Sequence, residues 1–223
     1  ERARVLPVVA ALAEAGAIVS IDTRHAAIMR EAVAAGAAIV NDVTALEGDP
    51  ESLAVAAEIG APVILMHMQG EPQTMQANPT YESAALDIYR YLAGRVEACV
   101  AAGIDPARVV VDPGIGFGKT LAHNLQLLEQ LALFQGLGCA VLLGASRKGF
   151  IGKVWPQAAT PKQRLPGSLA AALVGLQRGV QIVRVHDVAE TCQAVALWQA
   201  ATASPSPAED FARPADGARG APH

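Results

Sequence analysis

Charge is scarce in this chain, and what there is does not cluster. Lysine and arginine number 17 against 21 acids, only 17% of the 223 residues are charged, and the formal net charge is -4. No basic run or stripe is present, so nucleic acid is not an expected partner. No apolar stretch approaches the roughly 18 residues that a membrane-spanning helix needs, so no membrane partner is expected either. Cysteine is sparse too: Cys99, Cys139 and Cys192 lie far apart without CxxC spacing. An odd, scattered set reads as reduced and buried rather than bridged or metal-bound, which fits a cytoplasmic protein. The opening residues, ERARVLPVVAAL, lack a signal-peptide layout and an initiating methionine, and they read as cut from something longer.

Two familiar phosphate loops are also missing. The most distinctive stretch, VVVDPGIGFGKTLAHN at 109–124, runs three valines into Asp112 and then into alternating glycines. A Walker loop needs four residues between its first glycine and the Gly-Lys pair, whereas Gly114 and Gly118 have three between them. A dinucleotide fingerprint is GxGxxG, and this is GxGxG. An apolar run ending in a carboxylate suggests instead a buried parallel strand that delivers an acid to a tight turn.

What is present is apolar: 52% of residues are hydrophobic, enough for one sizeable core and one large α/β domain. Helical periodicity over 2–15 puts Val5, Val8, Val9 and Leu12 on one face and ends at Gly16. Six short apolar segments at 17–22, 37–42, 62–68, 108–112, 139–144 and 181–186 read as strands. Helices are expected between them: to residue 35 with Thr23 as its cap, from 49–50 to 59 with Gly60 closing it, and at 81–102, 121–133 and 168–177. A polar loop, GEPQTMQANPT, occupies 70–80, and Asp187 is placed to cap a last helix that ends near 203. Residues 1–203 form one domain in this reading. From 204 onward the Pro-, Ala-, Gly- and charge-rich tail has too little apolar content to pack and is expected to be disordered.

The alternation predicts parallel strands with helical crossovers. Each strand ends in a polar residue: Asp22, Asn41, His67, Asp112, Ser146 with Lys148, and Arg184 with His186. Both α/β barrels and open α/β sheets build their sites at such strand ends. Six polar endings in six alternations favour one shared pocket. The residues themselves leave two architectures open, a truncated barrel and a six-stranded open sheet.

Taken together and in order, Ile21-Asp22, VNDV at 40–43, LMHMQG at 65–70, DPGIGFGK at 112–119, GASRK at 144–148 and RVHDV at 184–188 resemble the dihydropteroate synthases of folate biosynthesis. The resemblance covers residues 2–203 and implies an α/β fold of the (β/α)8 TIM-barrel type, with about six of the eight βα units present. It implies transfer of a (7,8-dihydropterin-6-yl)methyl group from its diphosphate to 4-aminobenzoate, giving 7,8-dihydropteroate and diphosphate. It assigns Asp112 to the pterin edge, where a carboxylate accepts an amino group and a ring N–H together. Asn41 and Asp22 complete that recognition; Met66 and Phe117 wall the flat rings, and Val43 and Gly116 line the pocket. Lys148 reaches the pterin carbonyl edge beside the aminobenzoate, with Arg147 as its alternative, and Ser146 lies near the aminobenzoate carboxylate or the loop backbone. Arg184 and His186, two apart on a strand and so on one face, bind the diphosphate as its charge develops. The catalytic set implied is Lys148, Arg184 and His186.

Each assignment has a plainer reading. Asp22 could be a helix cap, Asn41 a turn residue, the Arg-Lys pair solvated cations, Met66 ordinary core, and His186 a structural histidine. His67 is a weaker candidate for the pocket than its neighbour Met66, and Lys119 and His123 read as structural or loop residues.

The resemblance also implies parts that this sequence does not contain. The family's first two strands bring an Asn-containing motif that helps hold Mg²⁺ on the diphosphate and a Ser-Thr-Arg-Pro-Gly loop over the aminobenzoate. Mg²⁺ is therefore implied as a cofactor, with no protein ligand for it in this chain. The chain alone is expected to be inactive or poorly soluble, because an open arc exposes two sheet edges, and a full-length parent is expected to be an active homodimer. The rivals are a pterin-binding methyltransferase domain, against which the SRK and RVHDV cations argue, and a non-catalytic pterin-binding paralogue.

Overall fold

In the computed structural model the described residues are 1–70, 75 and 79–203. Most of the expected loop at 70–80, and the whole of the expected tail from 204, lie outside them. The elements run α1 (Arg2–Glu14), β1 (Ser20–Asp22), α2 (Ala26–Ala34), β2 (Ile39–Asp42), α3 (Ser52–Ile59), β3 (Val63–Met66), α4 (Ala84–Ala101) and β4 (Val109–Asp112). They continue α5 (Leu121–Glu129), β5 (Ala140–Leu143), α6 (Gly149–Val154), α7 (Leu165–Gln177), β6 (Ile182–Val183) and α8 (Val188–Thr202).

All strands are parallel, and their order in the sheet is their order in the chain, β1-β2-β3-β4-β5-β6. A doubly wound sheet reverses direction at a switch point, and no reversal occurs among the described residues. Right-handed crossovers that all advance one way put every connecting helix on the same face. The other face is an interior, and it is curved. Arg184 at the end of β6 reaches Asn41 on β2 with a 3.5 Å contact, whereas four flat strand spacings would separate them by about 19 Å. The sheet is an open half-barrel, which decides between the two architectures left open above.

Strand alternation sorts the side chains. Val40, Val63, Leu65, Val109, Val111, Val141 and Leu143 point outward and are at most 2% exposed, packed with Met29, Ala32, Ile88, Leu92 and Leu127 from the helices. Full burial of a side chain of this size is worth roughly 1.5–3 kcal/mol, so the outward face carries the stability. The inward positions are then free for polar groups near the strand ends.

Several local expectations are corrected. Strands are shorter than the apolar runs suggest, and β6 ends at Val183, so Arg184 and His186 follow the strand instead of lying on it. Thr23 does not cap α2: its hydroxyl takes the His25 N–H, and the Ala26 N–H goes to Asp49 Oδ2, 23 residues away. Asp187 sits at the start of α8 without a side-chain cap bond, because Arg147 holds its carboxylate. The helix expected at 121–133 stops at Glu129 and continues as a 3-10 segment, Leu131–Leu137. The short α6, with two glycines in six residues, has too little helical propensity to be read from sequence. On α1 only Val9 is buried, while Val8 and Leu12 are 56% and 46% exposed. Cys99 and Cys139 are buried and unbridged, but Cys192 is exposed, against the expectation for it.

Candidate functional site

The site is set by register. Asp22 lies beside Asn41 in the β1–β2 ladder, and Met66 lies beside Asp112 in the β3–β4 ladder. All four are at the last residue or next to it, and alternation turns them inward. Asn41 Nδ2 donates to Asp22 Oδ2 at 2.9 Å, and its Oδ1 faces Arg184. Asp112 is 1% exposed; its Oδ1 accepts the Gly114 N–H at 2.7 Å, and Arg184 Nη2 stands 3.4 Å from its Oδ2. Asp22, Asn41, Ile64, Val110, Leu142 and Arg184 line an interior cavity of about 320 Å³.

The glycine turn is shaped by backbone crowding. Gly114 and Gly118 have φ of +68° and +62°, and a Cβ on either would sit 2.0 Å from the His67 carbonyl oxygen or 2.2 Å from that of Gln69. Only glycine lets the turn lie directly on the segment that follows β3. Gly116, also at positive φ, gives its N–H to Asn124 Oδ1 and lies against the Lys148 side chain. The turn thereby presents the Phe117 ring and the Ile115 carbonyl to Lys148. Its ammonium is 4.3 Å from the ring centroid and donates to that carbonyl.

Arg147, the alternative to Lys148, faces away. It pairs with Asp187, Nε to Oδ2 at 2.9 Å, and adopts φ of 57°, a costly conformation for a non-glycine residue. Ser168 Oγ accepts its N–H at 2.8 Å and Arg164 donates to its carbonyl at 3.0 Å, which holds the turn in place. With Arg147 anchored outward, Lys148 is carried inward. Ser146, Lys148, Arg184 and His186 line a second cavity of about 160 Å³ with Gly144 and Val185. His186 Nδ1 is 3.0 Å from Ser146 Oγ. Val43 is not brought to this group; it lines a separate depression of about 270 Å³ with Arg24, Thr44, Glu47, Gly48 and Tyr91.

Electrostatics match the crowding. Burial pushes Lys148 down to about 8, aided by Arg184 and opposed by Asp112. Burial raises Asp22 above the ordinary carboxylate value, opposed by Arg184 and the Asn41 hydrogen bond. His67 is pushed down to about 3 by burial and by the Lys119 charge, so its imidazole is neutral near pH 7.

A profile of the pterin binding enzyme family matches residues 1–186. The dihydropteroate synthase of Haemophilus influenzae is 44% identical over 198 residues, covering 88% of this chain and 71% of that protein. That of Neisseria meningitidis serogroup B is 48% identical over 206 residues, covering 90% and 71%. The chain belongs to the dihydropteroate synthases. The fold agrees: the enzyme of Stenotrophomonas maltophilia superposes with a TM-score of 0.88 at 45% identity, covering 92% of this chain and 77% of that one. The Xanthomonas albilineans enzyme in complex with 7,8-dihydropteroate superposes with a TM-score of 0.85 at 44% identity, with the same coverage.

Within this dihydropteroate synthase, several residues that organise the site were not singled out from sequence. Asn124 fixes the glycine turn from the first turn of α5, and nothing in its sequence context marks it. Gly144 leaves space for Arg184, whose Nη2 would be 2.9 Å from a Cβ there. Asp42, 0% exposed, accepts from Thr44 N–H and hydroxyl at 2.7 and 2.6 Å and from the Leu46 N–H at 3.1 Å. It thereby stabilises a loop in which Ala45 and Leu46 both have positive φ. A buried acid two residues before a threonine is a recognisable loop-closing signal.

The implied Mg²⁺ can be tested against these donors. Such an ion takes oxygen ligands in near-octahedral geometry. Among the described residues no three His, Cys, Asp or Glu side chains cluster to hold a metal. The nearby carboxylates are already engaged, Asp22 by Asn41, Asp112 by Gly114 and Arg184, and Asp42 by its own loop. The donor set does not fit Mg²⁺, and no step below passes through it. Among the described residues, no helix is long and apolar enough to cross a membrane.

Proposed function

We propose that this chain binds (7,8-dihydropterin-6-yl)methyl diphosphate and 4-aminobenzoate at the open end of the half-barrel and joins them, releasing diphosphate. The observation that carries the reading is the set of contacts around Arg184, which meets Asn41 and Asp112 directly and lines one cavity with Asp22 and a second with Lys148. The crystallised relatives support it: one Xanthomonas albilineans structure holds 4-aminobenzoate and another 7,8-dihydropteroate.

In this reading Asp112 accepts the 2-amino group and adjacent ring N–H of the pterin. Each carboxylate oxygen has two lone pairs, so Oδ1 can serve the Gly114 N–H and the ligand together. Asn41 and Asp22 meet the remaining ring groups, Met66 covers the pterin face, Phe117 walls the aminobenzoate ring, and Gly116 gives the Phe117 turn its shape. Val43 lines the approach from the neighbouring depression. Lys148 stabilises the pterin carbonyl and stands beside the aminobenzoate, with Ser146 near its carboxylate.

Arg184 and His186 hold the diphosphate. The C–O bond breaks first, and the leaving group takes the bonding pair while the pterin ring spreads the positive charge. The aniline nitrogen then forms the C–N bond and loses its proton. Groups already aimed at the developing charges need not reorganise, which is where catalysis of this kind gains most. No covalent enzyme intermediate is involved.

A cytoplasmic location and assembly of two copies belong to the same proposal. The first is supported by the unbridged cysteines, the second by Val188 and Leu197 on α8, 60% and 72% exposed. The deciding experiment supplies both substrates and follows dihydropteroate by mass spectrometry, beside titrations with each substrate separately. Absence of any pterin affinity would overturn the reading. Pterin affinity with neither turnover nor affinity for 4-aminobenzoate would favour the non-catalytic paralogue.

A further inference from the structure

Lys119 is fully buried, 1% exposed, and the reaction described above does not use it. Its ammonium is 2.9 Å from the Phe117 carbonyl oxygen, 3.3 Å from that of His67 and 3.0 Å from His67 Nδ1. An ammonium has three N–H donors, and here each meets one acceptor. To accept, His67 Nδ1 must be unprotonated, which leaves the ring proton on Nε2. The imidazole is held between Tyr81 and Tyr91, with ring centroids 6.0 and 5.0 Å away.

Burying a cation is costly unless all its donors are satisfied. A methionine would fill the same space without that cost. What the ammonium adds is a tie between two separate loops, the glycine turn after β4 and the segment after β3. That turn has glycines at 114, 116 and 118, all at positive φ, so its own backbone restrains it little. Lys119 grips it at the Phe117 carbonyl, and Lys148 grips it two residues earlier at the Ile115 carbonyl. The Phe117 ring lies between these two points and faces the Lys148 ammonium. Burial pushes Lys119 down to about 7, opposed by Asp112, which is the electrostatic counterpart of this tight enclosure.

We propose that Lys119 is a positioning residue: by binding the Phe117 and His67 carbonyls and His67 Nδ1 it fixes the wall that Phe117 and Lys148 present to the aminobenzoate half of the ligand. This rests on the transferase reading above. Asp112 is held separately, by its strand and by Gly114, so the pterin edge should depend on Lys119 much less.

The test uses two probes, pterin-6-carboxylate, which carries one ring system, and 7,8-dihydropteroate, which carries both. In Lys119→Met the Kd for dihydropteroate should rise about tenfold, the effect of losing a charge-assisted tie, while the Kd for pterin-6-carboxylate should change less than about twofold. Equal losses for the two probes would mean a merely structural lysine and overturn the proposal, as would no loss for either. Should Lys119→Met fail to fold, the wild-type chain with ¹³C at lysine Cε gives the same answer. The Lys119 resonance should shift with dihydropteroate and stay put with pterin-6-carboxylate, and indifference to dihydropteroate would overturn the proposal. Wild-type protein that binds neither probe would instead overturn the transferase reading, and this inference with it.

Discussion

Arg184 Nη2 lies 3.4 Å from Asp112 Oδ2, and the same guanidinium reaches Asn41 Oδ1 at 3.5 Å. One cation thus bridges the two acceptors assigned to the pterin edge. The amino-substituted edge of a pterin is itself a guanidine-like row of N–H donors, so Arg184 and the ligand compete for the same oxygens. In Arg184→Ala, affinity for the pterin diphosphate should fall about tenfold or more, the scale of a lost charge-assisted hydrogen bond. A pterin without diphosphate should bind as well as before or more tightly. Calorimetric titration with both ligands checks this, and a parallel loss for the two would sink the idea of a shared acceptor site.

Asp112→Asn isolates the acceptor itself. An amide keeps one acceptor oxygen and offers an NH₂ where the carboxylate had its second, so one of the two ligand donors meets another donor. Pterin affinity should fall by about ten- to a hundredfold, with little change in fold because the Gly114 N–H can still be accepted. Unchanged pterin affinity would mean that another residue reads the ring.

Gly144→Ala probes Arg184 without touching its charge. The backbone at Gly144 does not have positive φ, so alanine is conformationally permitted, but its Cβ would stand 2.9 Å from Arg184 Nη2 and 3.3 Å from Nε. The far end of a flexible side chain will yield. Thermal stability should stay within a few degrees while diphosphate-dependent affinity drops about threefold to tenfold. Loss of folding, or unchanged affinity, would contradict this account of why a glycine stands there.

Lys148 sets an upper pH limit. With its ammonium pushed down to about 8 by burial, the charge beside Phe117 is lost as pH rises through that value. Affinity for dihydropteroate should therefore weaken above about pH 8. Lys148→Arg, always charged, should remove the part of that limb above about pH 8 at some cost in fit, leaving the loss near pH 7 where Lys119 gives up its charge. A profile whose upper limb is the same in Lys148→Arg would assign the limb to another group.

Much of this could be read from the chain, and the exceptions share a cause. Apolar runs closed by polar residues located all six strands; of the polar endings, Asp22 and Asn41 line one cavity with Arg184, Lys148 lines a second with Arg184, and Asp112 meets Arg184 directly. Residue patterns could not distinguish an arc from an open sheet, since both use parallel strands with helical crossovers; strand order alone separates them. Misread positions involve partners far away in sequence. Thr23 was given a capping role that Asp49 performs, and Asp187 was given one that Arg147 pre-empts. Lys119 looked like a loop cation because nothing local reveals that His67, 52 residues earlier, is waiting beside it.

That His67–Lys119 contact carries a consequence for stability in acid. His67 has a folded pKa of about 3, below its unfolded value of 6.5, because burial and the neighbouring ammonium both oppose a second positive charge. Between those two values the unfolded chain takes up a proton that the folded chain refuses. Stability from this residue is therefore complete above pH 6.5 and declines as pH falls toward 3, by up to about 1.4 kcal/mol per pH unit. His67→Asn should keep an acceptor for Lys119 at the position of Nδ1 while removing the titrating ring. The variant should be less stable at neutral pH, having lost contact with Tyr81 and Tyr91. Between pH 6.5 and 5, however, it should lose about 2 kcal/mol less than the wild type in urea unfolding. Equal acid losses in the two proteins would show that His67 takes up its proton in the folded state, and a neutral imidazole held against the Lys119 ammonium would be wrong.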